Sequence, residues 1–204
     1  MYEFEGILKN IGRFIDLTEE ERQYFTSILK TTKIRKKQYV AQPEFVCRYK
    51  NYIINGAMRS YLVDNDGQEH TIQFAIDDWW ISDFNSYIYQ TPATLFVEAL
   101  EETTVLQLEY HAEEKLLELY PKFEKFFRIF HQRALASLQK RVLSNLSMSA
   151  EKRYDEFLAK YPAIAERVPQ YALASFLGMT TEFLSKIRSD KRKAQAQTAG
   201  RNKS

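Results

Sequence analysis

Residues 170–189, QYALASFLGMTTEFLSKIRS, constrain the fold of this chain more than any other stretch, because they predict two short helices joined by a tight turn. Pro169 suits a first helical position, where its missing N–H costs nothing. Gly178 can adopt the left-handed conformation that ends a helix. Thr180 or Thr181 can cap the helix that follows.

Apolar residues of this stretch are spaced to fill the angle between the two helices: Ala174, Leu177, Leu184 and Ile187. This spacing is typical of a DNA-binding helix-turn-helix, although an ordinary helical hairpin could also produce it. The second helix would expose side chains suited to base edges and phosphates. The candidate DNA-binding residues are Thr180, Thr181, Glu182, Ser185, Lys186 and Arg188.

The charge distribution favours the DNA-binding interpretation. The chain has 204 residues and a net charge of +2. Residues 151–204 contain 11 Lys and Arg against 6 Asp and Glu, a net +5, so residues 1–150 carry −3. A basic excess beside the helix-turn-helix is what a polyanion partner requires, and a solvated basic face would give the same count.

Several other classes are disfavoured by composition. One cysteine, Cys47, excludes an internal disulfide and fits a reducing compartment. The first ten residues lack the basic and apolar regions of a signal peptide, and no apolar run approaches the length of a spanning helix. We therefore expect a soluble, cytoplasmic protein with no membrane partner.

The hydrophobic period changes along the chain. Residues 3–15 and 18–30 predict helices, the second opened by a capping box of Thr18 and Glu21. Short segments rich in Val, Ile, Tyr and Phe then predict strands near residues 38–41, 45–48, 52–54, 57–63, 70–76, 95–100 and 104–109. Asn55-Gly56 predicts a tight turn, and residues 64–67 predict a hairpin loop. Consecutive strands without intervening helices favour a small antiparallel barrel or jelly roll.

A long helix is predicted next, at residues 122–147, after a short one at 112–119. Apolar residues recur along it every four positions: Phe126, Phe130, Ala134, Leu138 and Val142. One small barrel cannot cover so long a stripe, so we expect the same helix of a second subunit to pack on it in a homodimer. The alternative is that the whole stripe packs on its own barrel.

Ser149 predicts the start of another helix, which Pro162 would end, and the residues after Arg188 lack an apolar pattern and predict a basic tail. The fold class is therefore α+β, with three predicted parts. They are a small antiparallel barrel or jelly roll with flanking helices (residues 1–120), a helix expected to dimerise (121–148), and a helix-turn-helix domain with its tail (149–204); the resemblance described next implies that the first part is a sensor β-roll.

This order of parts resembles the Crp/Fnr family of bacterial transcription regulators over roughly residues 10–190. The resemblance is carried by the segments at residues 55–59, 66–67, 77–84 and 92–100 and by the terminal motif. It implies a cyclic-nucleotide-binding type of β-roll and base contacts from Thr181, Glu182, Ser185 and Lys186, with Glu182 accepting from a cytosine amino group. Thr181 stands where many members have Arg, and the tail stands where the family usually has a β-hairpin wing.

The resemblance implies an effector pocket that this sequence alters. Members that bind cyclic nucleotides use a Gly-Glu pair that opens a short helix, followed by an Arg. Here the pair is Ser82-Asp83, and nothing replaces the Arg, since residues 60–114 contain no Lys or Arg and twelve Asp and Glu. Arg59, close to the turn at Gly56, is expected to lie in solvent. We therefore expect this chain not to bind cyclic AMP.

The sequence still allows the roll to bind a neutral or apolar effector. The candidate pocket residues are Trp79, Trp80, Ser82, Asp83, Asn85 and Thr94, although core packing is the better explanation for the two tryptophans. The three histidines are too dispersed for a metal site, and we find no catalytic triad or phosphate-loop pattern. No catalytic residue, metal or cofactor is expected.

The sequence thus favours a DNA-binding regulator that binds double-stranded DNA as a homodimer, with an unidentified small-molecule effector and RNA polymerase as further candidate partners. Two alternatives remain. One is a ligand-free regulator whose β-roll serves only dimerisation or contact with polymerase. The other is a small-molecule-binding barrel protein or enzyme with a vestigial helix-turn-helix.

Overall fold

The computed structural model describes residues 2–201, with side chains for residues 3–193. The chain divides into a first compact unit that ends at Val142 and a second that begins at Leu143. The helices that start in the first unit are a 3₁₀ turn (Tyr2–Phe4), α1 (Glu5–Gly12), α2 (Glu19–Ser27), α3 (Phe84–Tyr89), α4 (Tyr110–Leu119) and α5 (Lys122–Ser147). Its strands are β1 (Leu29–Ile34), β2 (Tyr39–Ala41), β3 (Tyr49–Asn55), β4 (Ala57–Val63), β5 (Glu69–Ile76), β6 (Trp80–Ile81), β7 (Phe96–Ala99) and β8 (Thr103–Glu109).

Within the described residues the strands form two antiparallel four-stranded sheets. One has the order β1-β8-β3-β6 and the other β2-β7-β4-β5. Their facing sides enclose an apolar interior that includes Ile53, Met58, Val97 and Val105. The α+β class and the predicted β-roll are confirmed.

The Asn55-Gly56 turn carries the chain from one sheet to the other. Strand β3 belongs to the first sheet and β4 to the second, so this turn is a corner of the roll rather than a hairpin. Gly56 has φ +125°, and a Cβ there would lie 2.3 Å from the Thr103 hydroxyl. Only glycine fits this corner. The turn at residues 64–67 does join a hairpin, β4 to β5.

Several segments differ from the sequence prediction. The helix predicted at 3–15 is a 3₁₀ turn followed by α1, which ends at Gly12, and α3 lies among strands that were expected to have no helix between them. The Thr18 capping box is present, but α2 ends at Ser27 and residues 29–34 form β1, which pairs with β8. Residues 30–33, Lys-Thr-Thr-Lys, carry no apolar period of their own, and the pairing with β8 decides their conformation. The predicted strand at 45–48 is an isolated bridge between Val46 and Pro92.

Helix α5 changes its environment along its length. Phe123, Phe126 and Phe127 are buried in the core between the first sheet and the helices, and Phe130 packs partly against that core. Phe126 is only 1% exposed, so its assignment to a dimer interface is wrong: the roll of its own subunit covers it. Farther along, Ala134 is exposed, as are Leu138 and Val142, each at 48%.

The second unit continues from the end of α5. Its helices are α6 (Ala150–Lys160), α7 (Pro162–Arg167), α8 (Gln170–Phe176) and α9 (Thr181–Arg201). Ser149 caps α6 as predicted, since its hydroxyl accepts a hydrogen bond from the Lys152 N–H. Pro162 ends α6 but also begins α7, which the sequence prediction missed and which Pro at a first helical position favours.

The predicted basic tail is also corrected, because α9 runs without a break to Arg201. Lys, Arg, Ala and Gln dominate residues 191–197 and are strong helix formers. The sequence prediction required an apolar stripe, but strong helix formers can extend a helix without one. Residues 202–204 of the predicted tail lie outside the described residues. None of the helices within residues 2–201 is long and apolar enough to cross a membrane.

Candidate nucleic-acid interface

The turn between α8 and α9 ends the first helix in a Schellman motif. Gly178 has φ +66°, its N–H donates to the Ser175 carbonyl at 3.1 Å, and the Met179 N–H donates to Ala174 at 3.0 Å. The four apolar residues predicted to fill the angle between the helices are buried, with exposures of 4% or less: Ala174, Leu177, Leu184 and Ile187. Pro169 precedes α8 as its N-cap rather than taking the first helical position.

Arg153 of α6 fixes this turn from outside. Its guanidinium donates to three main-chain carbonyls, those of Leu177 at 2.9 Å, Met148 at 2.7 Å and Gly178 at 3.4 Å. These carbonyls lie at helix ends or turns and lack helical partners. The sequence prediction missed Arg153, since an arginine in a polar stretch reads as a solvated charge.

The candidate DNA-binding residues fall into two groups. Glu182, Ser185 and Lys186 are exposed on the first turns of α9, Thr181 is half-buried, and the Thr180 hydroxyl accepts from the Phe183 N–H at 3.2 Å as a cap. Arg188 differs, because it is half-buried and its Nε donates to the Tyr154 hydroxyl at 3.1 Å. The first turns of α9 therefore present a polar surface on a rigid, capped helix.

In the first unit, Asp83 lies where strand β6 leads into α3, and its carboxylate is saturated by the chain itself. Oδ1 accepts from the Ser86 N–H at 3.1 Å, and Oδ2 accepts from the N–H groups of Thr94 at 2.8 Å and Leu95 at 3.0 Å. Asp83 is only 1% exposed. Three main-chain donors that could hold an external anion thus hold an internal one.

The other candidate pocket residues do not share one surface. Trp80 is buried in the core between the first sheet and the helices, whereas Trp79 packs partly against the interior of the roll. Ser82 is buried, and its hydroxyl donates to the Tyr49 carbonyl at 2.8 Å. Asn85 and Thr94 are exposed. The two tryptophans therefore cannot form a common pocket floor.

The structure also corrects the expectation that Arg59 lies in solvent. It is 1% exposed rather than in solvent, with Nε 2.7 Å from Glu98 Oε1 and Nη2 2.6 Å from Glu69 Oε2. Its guanidinium also lies over the Tyr61 ring, 4.0 Å from the centroid. Residue 59 faces Glu98 across the pairing of β4 with β7, and this partner is invisible in the local sequence. The two carboxylates neutralise this cation.

The roll also buries a lysine that the sequence prediction missed. Lys50 Nζ lies 2.6 Å from Glu113 Oε1, and the Tyr87 hydroxyl donates to Glu113 Oε2 at 2.7 Å. Burial lowers the pKa of Lys50, and the Glu113 carboxylate acts in the opposite direction. A signal existed in the sequence, since Glu113 stands three residues before the apolar Leu116 and so on the buried face of its helix.

His131 lies on α5 beside this pair, with its ring centroid 5.1 Å from that of Phe130 and 6.1 Å from that of Phe84. Its Nε2 is buried without a hydrogen-bond partner among the described residues. Burial, and then the Lys50 ammonium, lower the pKa of His131, while Glu113 opposes this shift. In the part of the chain that the structure describes, no three His, Cys, Asp or Glu side chains cluster as metal ligands would.

Neither a protein-family model nor a curated protein matches this sequence. Solved structures do match. FixK2 from Bradyrhizobium japonicum is 18% identical, with a TM-score of 0.73 over 82% of this chain and 86% of FixK2. A regulator assigned to the crp/fnr family from Eubacterium rectale is 15% identical, with a TM-score of 0.69 over 87% of this chain and 85% of its own.

A third similar structure is CLP of Xanthomonas campestris, described as a c-di-GMP responsive global regulator. It is 14% identical, with a TM-score of 0.68 over 89% of this chain and 93% of CLP. This chain has the fold of the Crp/Fnr regulators. Its roll has two features that the resemblance did not imply, the hydrogen-bonded carboxylate of Asp83 and the guanidinium of Arg59 that two carboxylates neutralise.

Proposed function

We propose that this protein is a sequence-specific DNA-binding transcription regulator that acts as a homodimer in the cytoplasm. The observation that carries this proposal is the exposed polar surface at the start of α9, formed by Glu182, Ser185 and Lys186 on a helix that a Schellman turn and Arg153 hold in place. A rigid helix with such side chains at its N-terminal end matches the requirements of major-groove recognition. The shared fold with Crp/Fnr regulators supports it.

The exposed rear half of α5 supports the homodimer. Leu135, Leu138 and Val142 lie three and four residues apart and are 48–65% exposed. This spacing is that of a coiled-coil seam, and the same helix of a second subunit is its natural partner. A two-fold dimer would also present two recognition helices to a palindromic site.

We further propose that this regulator does not bind cyclic AMP as its effector. A buried phosphate monoanion needs a cation or well-aimed N–H donors to replace its hydration. The donors of Ser86, Thr94 and Leu95 are occupied by Asp83, and Arg59 is occupied by Glu98 and Glu69. Because these donors and Arg59 are already occupied, two kinds of regulator agree equally well with the roll. One works without any ligand, and the other responds to a neutral effector. RNA polymerase remains a proposed partner.

The DNA-binding proposal is tested by selecting a duplex from a random pool and measuring its affinity. Glu182→Ala should relax the preference at one base pair, by about 1–3 kcal/mol. Lys186→Ala should instead weaken binding to all sequences and reduce its salt dependence. Failure to enrich any sequence would contradict the proposal.

The dimer is tested by light scattering. Unmodified protein should be a dimer at micromolar concentration, and the double variant Leu138→Glu, Val142→Glu should be a folded monomer. Both positions are exposed in the subunit, so the charges should not unfold it. A monomeric unmodified protein would contradict the homodimer.

A further inference from the structure

The second unit has an open groove of about 500 Å³ between α6 and α9. Tyr154 and Leu158 of α6 line one side, and Gln170 of α8 also lines the groove. The other side belongs to α9, whose groove-lining residues include Arg188, Lys191 and Arg192. Three cations therefore line one groove on the helix that also carries the proposed base-reading residues.

These cations are only partly neutralised. Arg188 donates through Nε to Tyr154, which fixes its guanidinium at the groove wall. Lys191 Nζ lies 2.7 Å from Asp155 Oδ1. Arg192 is exposed, and its Nε makes a long bond of 3.4 Å to the Arg188 carbonyl. With one carboxylate against three cations, the groove keeps a net charge of about +2, which favours an anionic occupant.

The position of the groove along α9 indicates which anion would occupy it. An α-helix rises about 1.5 Å per residue, so Arg192 lies about 10 Å beyond Ser185 along the helix axis. The major groove of B-DNA is about 12 Å wide. A helix that places Ser185 against base edges would therefore carry Arg192 to the level of the flanking phosphates.

We propose that the groove between α6 and α9 holds a backbone phosphate of duplex DNA through Arg188, Lys191 and Arg192. This inference rests on the DNA-binding function proposed above and extends it to the second half of α9. Tyr154 acts as a positioning residue, because it holds Arg188 at the groove wall. Asp155 competes with the phosphate for Lys191.

The test compares the salt dependence of duplex binding, measured by fluorescence anisotropy, for unmodified protein and Arg192→Ala. Loss of one phosphate contact per subunit should make the slope of log affinity against log salt shallower by about 1.8 for a dimer. Between 50 and 200 mM salt, the unmodified protein should therefore lose about 12-fold more affinity than the variant. A thermal melt checks that Arg192→Ala remains folded.

Two further variants sharpen the result. Lys160→Ala removes an exposed cation of α6 that does not line the groove, and its slope should match that of the unmodified protein. Asp155→Asn releases Lys191 and should tighten binding and steepen the slope. A diffuse effect of net charge would instead make Lys160→Ala and Arg192→Ala equivalent, which would overturn the proposal.

The remaining outcomes separate this inference from the function on which it rests. If the unmodified protein binds a selected duplex but Arg192→Ala leaves its slope unchanged, the groove proposal is wrong and the DNA-binding proposal stands. If no duplex binds, both are wrong. Micromolar binding of inorganic pyrophosphate that Arg192→Ala abolishes, with an unchanged DNA slope, would assign the groove to a small anion and also overturn the proposal.

Discussion

The two units of this chain place some of their cationic side chains differently: two in the first are buried and paired, and two in the second are exposed. In the first unit Arg59 and Lys50 are each about 1% exposed, and carboxylates on neighbouring elements pair with both. In the second unit Lys186 and Arg192 are exposed, and neither forms an ion pair with another described residue. Buried paired charges fix a fold, whereas open cations remain available to a partner.

The same contrast holds for anion binding. The three N–H donors around Asp83 hold a carboxylate that belongs to the chain, whereas among residues 3–193 only Asp155 forms an ion pair with a cation of the groove, Lys191. A change in the first unit should therefore appear as a change in stability. A change in the second should appear as a change in affinity that depends on salt.

The largest effect is expected at the buried Lys50–Glu113 pair. Glu113→Gln leaves the Lys50 ammonium without its anion in a site where its side chain is 2% exposed. We expect a loss of about 3–5 kcal/mol in the free energy of unfolding, measured by urea denaturation. Glu114→Gln, on the exposed neighbour, should change stability by less than about 0.5 kcal/mol. Equal losses of stability from the two changes would contradict the contrast drawn between the two units.

A smaller loss is expected when the internal anion is removed. Asp83→Ala leaves the N–H groups of Ser86, Thr94 and Leu95 without their acceptor, which should cost about 1–3 kcal/mol. Added formate should restore part of this loss, about 1.4 kcal/mol at ten times its dissociation constant, because it can take the carboxylate's place.

The control for this rescue is the exposed Asp66→Ala variant, which should not respond to formate at constant ionic strength. A folded Asp83→Ala protein with unchanged stability would show that the three donors need no anion. The N–H groups of Ser86, Thr94 and Leu95 would then be available to an external phosphate, and the contrast between the two units would fail.

The smallest effect is a pH dependence from His131. Its pKa is lowered in the folded state, so the unfolded chain binds the proton first as the pH falls through the ordinary value of about 6.5. Stability should therefore decrease between pH 7.5 and 5.5. His131→Gln should flatten this part of the curve. A slope that His131→Gln leaves unaltered would contradict the assignment.

What the sequence predicted well was encoded locally. The caps at Thr18 and Ser149, the helix stop at Gly178 and the four-residue apolar period of α5 each act within one or two turns. Such signals identified the order of elements and hence the fold. They also identified the surface of α9, because exposure on a helix follows from its period.

What the sequence prediction missed depends on partners distant along the chain. Arg59 was placed in solvent because it lies near a turn, yet Glu98, 39 residues away, buries it. Phe126 belongs to the apolar stripe of α5, but only the packed roll shows that the stripe is buried as far as Phe127, partly buried at Phe130 and exposed beyond it. Asp83 is a pocket candidate in the sequence, but the hydrogen bonds that its carboxylate accepts from Thr94 and Leu95 are visible only in the fold.

The roll pairs its buried charges internally, and we propose that the second unit keeps exposed cations available to bind DNA. The most direct test is the affinity of effector-free protein for its selected duplex, measured across salt concentrations with and without cyclic AMP. Four cations per subunit (Lys186, Arg188, Lys191 and Arg192) predict a log–log slope of about −7 for a dimer, unchanged by the nucleotide. A slope shallower than about −2, or binding that appears only when cyclic AMP is added, would contradict the account.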